Sequence, residues 1–168
     1  MNNSIYVLEK KLLTSDRDRF LNCIIDFFSI LIMIFVFTFF VVITGNIFQW
    51  DVYRPWVETM INLGMLGTYL SFAMFYYLVF ESLFGRTIGK FITGSIVVNE
   101  NGLKPSFSAI CIRTLCRLIP FDQLSFLSKS ERIWHDALSK TFVVEKKDLE
   151  RDMEIFRSLD LIGKKEIA

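Results

Sequence analysis

A chain of 168 residues that is 52% hydrophobic, carries 18 phenylalanines and has a mean hydropathy of +0.41 is too apolar for an ordinary soluble domain and falls in the membrane class. Its net charge of +1 supplies no basic field, which argues against nucleic acid as a partner. The three cysteines, Cys23, Cys111 and Cys116, include no CxxC pair, and packing accounts for them better than a disulfide or a metal.

In chain order, "SIYVLEK" at 4–10 alternates like a short strand, and "SDRD" at 15–18 fits the S-x-x-D capping pattern, with Ser15 as the cap of the helix that follows. Residues 20–44 hold a single charged side chain, and at 1.5 Å per residue the run exceeds the roughly 30 Å hydrocarbon core of a bilayer. It is too long for the apolar region of a signal peptide and lacks a small-x-small cleavage site, so it reads as a retained transmembrane helix. Residues 60–80 carry no charge and form a second span. Within it Gly64, Gly67 and Ser71 make a stripe of small residues on which another helix can approach closely, and the first span is the expected partner.

Lys10, Lys11, Arg17 and Arg19 precede the first span, only Arg54 lies in the loop 45–59, and the remaining basic residues follow Phe80. The positive-inside rule then places both termini of a multi-pass protein in the cytoplasm. The loop aromatics Phe48, Trp50, Tyr53 and Trp56 suit the headgroup layer.

After the second span "ESLFGRTIGKFITG" has enough apolar residues for an interfacial helix and too few to cross, so it is expected along the cytoplasmic surface. "SIVVNENGLKPS" reads as a strand, a turn at Asn101 and Gly102, and a second extended piece. Residues 106–119 follow Pro105 as an amphipathic helix, capped by Ser106 or Ser108, with Arg113 and Arg117 on one face at i, i+4. "WHDALSKTFVV" gives a short helix and then a strand-like run at 141–144, able to pair with 95–98 or with 5–10. The tail 146–168 is densely charged, with Leu149, Met153, Phe156 and Leu159 at helical spacing, and is expected as a mostly solvated amphipathic helix. The fold class is therefore an all-α membrane protein: a two-helix transmembrane hairpin with cytoplasmic amphipathic helices and a small β-hairpin or sheet. Residues 1–145 form the membrane domain, with 81–144 as its cytoplasmic or interfacial part.

The chemistry concentrates in "RFLNCIIDFF", where Arg19, Asn22, Asp26 and Ser29 fall on one helical face. A carboxylate inside a bilayer costs about 2.5–3.5 kcal/mol on insertion scales, so the stripe must face protein or water and find compensation. Two readings stay open. In one, Arg113 and Arg117, or Arg86 and Lys90, arrive from the cytoplasmic side and clamp Asp26 as a structural ion pair. In the other, Asp26 titrates in a hydrated cavity and binds a cation or proton. His135 and Asp136 are sequence neighbours and cannot form a local relay; Asp136 is expected to pair with an arginine or to cap the next strand. No nucleophile and base set is present, so no enzyme activity and no cofactor are expected.

Four pieces in fixed order carry a resemblance: Arg19 seven residues before Asp26, "GRTIGKFITGSIVVNENG" after the second span, the arginines of "IRTLCRLIP", and "WHDALSKTFVV" with Asp136 as second aspartate. Together they resemble the RDD family of small bacterial membrane proteins, named for one arginine and two aspartates, over roughly residues 15–145. The resemblance implies a transport role, including cation/proton exchange. Many members carry a third hydrophobic segment before the HD motif, whereas "FDQLSFLSKSERI" here is too short and polar to span. Two spans cannot enclose a pathway unaided, so transport implies a homo-oligomer or another membrane protein as partner within the lipid bilayer. The alternative is a non-enzymatic membrane-anchored interaction or assembly module.

Overall fold

Ser15 starts the first long helix: its hydroxyl accepts the Asp18 N–H at 3.2 Å, and α1 runs from there as Asp16–Phe48. Its 33 residues extend about 50 Å, longer than the apolar run alone, and end at Gln49 in the left-handed conformation. The second helix, α2, is Tyr53–Phe84 and ends at Gly85, whose φ of 68° is a conformation that glycine adopts without strain. The computed structural model describes residues 6, 8, 10–117 and 134–166.

Both helices are apolar on their outer surfaces: Phe35, Ile32, Phe40, Met65 and Leu66 are all exposed. Such surface is unfavourable in water and favourable against lipid. α2 is broken at Gly64, whose φ of 68° and ψ of 174° belong to a region open essentially to glycine alone. The break is sharp. Trp56 and Phe72 would lie about 24 Å apart along a continuous helix, yet their ring centres are 6.0 Å apart, and both rings touch Phe37 of α1.

The small-residue stripe does not serve the contact expected of it. A side chain at Gly64 would meet nothing within 4 Å, one at Gly67 would meet only Leu63 of its own helix, and Ser71 is exposed. The bend turns this face outward, and α1 is met instead by Ala73, Tyr76 and Tyr77, which pack around Ile30. Thr68 shows the same disturbance. Ser29, Thr38 and Ser71 each return their hydroxyl to the carbonyl four residues back, but for Thr68 that carbonyl belongs to Gly64, and its buried hydroxyl has no hydrogen-bond partner among the described residues.

Beyond α2 the chain forms α3 (Ile88–Thr93), β1 (Ser95–Val98), α4 (Phe107–Cys116), α5 (Trp134–Leu138), β2 (Phe142–Glu145) and α6 (Lys146–Glu166). Ser106 caps α4 by accepting the Ala109 N–H. β1 and β2 pair antiparallel from Ser95 opposite Glu145 to Val98 opposite Phe142, one of the two pairings left open by the sequence. The piece after the turn is not a second strand of a hairpin, because the Asn99 side chain takes the N–H groups of Asn101 and Leu103 and closes a tight loop. At the N-terminal end Lys10–Leu12 is a 3-10 turn rather than strand, and among the described residues the segment meets the sheet through the bridge of Leu13 to Val144 and the Thr14 N–H, which donates to the Val143 carbonyl at 3.0 Å. The rest of "SIYVLEK", apart from residues 6, 8 and 10, and all of "FDQLSFLSKSERI" lie outside the described residues.

Leu12, Val98, Val144, Leu149 and Tyr6 form a second apolar core. α6 is amphipathic, as its periodicity predicts, but its first turns are not merely solvated: Leu149 is buried in that core, with Met153 and Phe156 packed against it. Leu159, the next residue of the stripe, is exposed.

Candidate functional site

The polar stripe of α1 faces inward. Arg19, Asn22 and Asp26 are 8%, 5% and 3% exposed, and Ser29 is half-buried. Each is met by a different group. Arg19 donates through Nε to the Thr14 carbonyl at 3.1 Å, and Asn22 accepts the Thr93 hydroxyl at 2.8 Å.

Among the described residues, neutral donors hold Asp26. Its Oδ1 accepts the Tyr76 hydroxyl at 2.8 Å and the Gly89 N–H at 2.9 Å. The Tyr76 oxygen in turn accepts the Ile88 N–H at 2.9 Å, and the Thr87 hydroxyl accepts the Lys90 N–H at 3.4 Å. The first three N–H groups of α3 thus find oxygens on α1, on α2 and on its own cap, which fixes the short helix at the junction of the two long ones. Close approach requires glycine: a Cβ on Gly89 would stand 2.7 Å from the Asn22 carbonyl oxygen.

This corrects the expectation that arginines or lysines clamp Asp26. No ion pair joins it to a basic side chain among the described residues; Arg86 lies over the Phe91 ring at 4.3 Å, and Lys90, Arg113 and Arg117 are engaged elsewhere. The segment expected along the membrane surface is instead wedged between helices, with Gly89 and Lys90 buried.

The basic residues converge on Glu81, near the C-terminal end of α2 and 1% exposed. Lys90 Nζ and Arg117 Nη2 both reach Oε1, at 2.6 and 2.8 Å. Arg113 Nε lies 3.1 Å from Oε2, near enough for an ion pair but out of line for a hydrogen bond. On its other side Arg113 pairs through Nη1 with Asp136 and donates to the Thr141 hydroxyl at 2.6 Å. Arg117 also lies over the Tyr77 ring at 3.7 Å. The spacing of Arg113 and Arg117 on one helical face is what lets both reach the same carboxylate.

Three cations therefore share two carboxylates in a buried chain running from α3 through α2 and α4 to α5. Burial, with Arg113 and Arg117 adding to it, lowers the Lys90 ammonium to about 8 against the pull of Glu81. Burial also works against the Arg117 guanidinium, but Glu81 outweighs it and holds the group firmly protonated. Arg113 Nη2 and Arg117 Nη1 are buried with no hydrogen-bond partner among the described residues.

Asp136 meets an arginine, as the sequence reading allowed, while the His135 side chain lies outside the described residues. Glu81, Tyr76 and Gly89 were missed. Glu81 stands one position past the uncharged run, where it reads as the end of a span; Lys90 lies nine positions further on, and no local spacing relates Glu81 to the arginines. Among the described residues no group of three His, Cys, Asp or Glu side chains could hold a metal ion.

Two long apolar helices, tied at one end to a small mixed unit by buried polar clusters, define a membrane protein. The model of the RDD family matches residues 14–146, most of the chain, and the chain belongs to that family. Comparison with curated proteins and with solved structures finds no match. The matched segment takes in Arg19, Asp26, Arg113 and Asp136.

Proposed function

We propose that this protein is a non-enzymatic assembly subunit of the bacterial inner membrane, with both termini cytoplasmic, working through association with further membrane helices. The observation that carries this reading is the internal use of the family-motif residues. Arg19 and Asp26 bind the backbone of neighbouring segments, and Arg113 joins Glu81 to Asp136. These groups hold the small unit against the helical hairpin, and the hairpin keeps its apolar faces and the small-residue stripe for partners. Those partners are further copies of the chain or other membrane proteins.

A second reading, a subunit of a cation/proton exchanger, is favoured by the buried Glu81 and Lys90 pair, since ionisable groups inside a membrane helix bundle commonly mark ion pathways. Glu81 would then be the carboxylate to test, because the ammonium that reaches it, Lys90, is lowered to about 8 and gives up its proton more readily than an ordinary lysine.

Purified full-length chain in sealed vesicles separates the two. The assembly reading expects no cation-driven proton movement above that of protein-free vesicles, together with a defined oligomer in native mass spectrometry. Flux that Glu81→Gln abolishes, while Asp26→Asn keeps it, overturns the assembly reading in favour of exchange. A strictly monomeric chain without flux overturns both.

A further inference from the structure

A groove of about 290 Å³ opens where α2 ends. Leu83 and Phe84, the last residues of that helix and both exposed, line it together with Ile96, Leu149 and Met153. The groove is thus continuous with the apolar surface of a membrane helix. Lys104 and Lys146 also line it. Lys104 is exposed and donates to the Leu83 carbonyl at 3.3 Å, placing an ammonium at the end of the span. Lys146 is partly balanced by Glu150, at 3.4 Å on the groove's edge, so the two lysines leave an excess positive charge. Around Lys104 the chain exposes Leu103 and Phe107, the combination of apolar side chains and lysine that settles at a headgroup boundary.

We propose that this groove holds one acyl chain of an anionic phospholipid, with the headgroup phosphate between Lys104 and Lys146. The volume suits a single flexible chain and is too small for a helix, whose diameter with side chains is about 10–12 Å. An apolar wall open to the bilayer admits the chain sideways, without transfer through water. The lysines supply the headgroup preference, because basic side chains at an anionic leaflet attract acidic lipids. This site is independent of the Glu81 cluster and of the oligomer proposed above.

The test uses full-length protein in mixed phosphatidylglycerol and phosphatidylcholine vesicles, each lipid carrying in turn a trace of diazirine-bearing acyl chain. Labelled residues are mapped by peptide mass spectrometry. The phosphatidylglycerol probe is expected to label Ile96 and Met153 about fivefold more than the phosphatidylcholine probe. The difference should vanish in Lys104→Gln/Lys146→Gln. Lys104→Gln alone, at an exposed position, should reduce it by about half if the double variant does not fold. Equal labelling by both probes overturns the proposal, as does labelling confined to exposed span residues such as Phe35. No labelling of Ile96 or Met153 by either probe would overturn it as well.

Discussion

Glu81→Gln removes the carboxylate on which three buried cations converge. The contacts measure 2.6, 2.8 and 3.1 Å, and Glu81 is 1% exposed. At an effective dielectric of about 20, each contact near 3 Å is worth roughly 5 kcal/mol gross. Most of that is offset by the desolvation of four ions and by repulsion among the cations, and removing one partner of a buried pair leaves a net cost of about 3–5 kcal/mol. With three cations losing one shared counter-charge, the upper end applies. At about 2–4 °C per kcal/mol for a chain of this size, Tm should fall by about 10–20 °C. The assay is thermal unfolding in one fixed detergent, followed by tryptophan fluorescence. Adding Lys90→Gln removes one of the stranded charges, so the double variant should melt above the sum of the two single effects. Strict additivity, or a Glu81→Gln shift below about 3 °C, would refute the reasoning.

Asp26→Leu leaves the Tyr76 hydroxyl and the Gly89 N–H without an acceptor, at about 1–3 kcal/mol each. Asp26→Asn keeps an acceptor oxygen and should cost about 1 kcal/mol, so folding yield should rank wild type, Asn, Leu; equal losses would count against the neutral-donor geometry. Gly89→Ala sets a methyl 2.7 Å from the Asn22 carbonyl and should destabilise by about 1–3 kcal/mol, measured as loss of the monodisperse peak in size-exclusion chromatography. The Lys90 ammonium should lose its proton near pH 8, below an ordinary lysine at 10.5, as a carbon-13 titration of its Cε would record. The folded state binds this proton less tightly than the unfolded chain, so the penalty from charged, buried Lys90 is present below pH 8. It is relieved as pH rises from about 8 to 10.5, and an ordinary lysine titration would contradict the burial of this group.

What the sequence determined by itself follows from local physics. Two apolar runs long enough to cross a bilayer become helix, because a backbone in lipid must satisfy its own hydrogen bonds, although the second is interrupted at Gly64. A polar stripe at helical spacing faces inward because only one side of α1 can afford contact with lipid. Ser15 and Ser106 start helices through contacts three residues away, and the register of short apolar runs was enough to offer β1 and β2 as partners. The tertiary structure alone decided which groups meet across the chain. Asp26 could be assigned a burial but not a partner, since a backbone N–H 63 positions away leaves no mark of charge in the sequence. Glu81 gathers Lys90, Arg113 and Arg117 only once α3 and α4 fold back on the end of α2. The stripe of Gly64, Gly67 and Ser71 lies on one face of an ideal helix, but glycine at 64 also permits the backbone break that turns that face away from α1. Spacing along a helix fixes neighbours only while the helix continues, and the long-range contacts here depend on where it bends and stops.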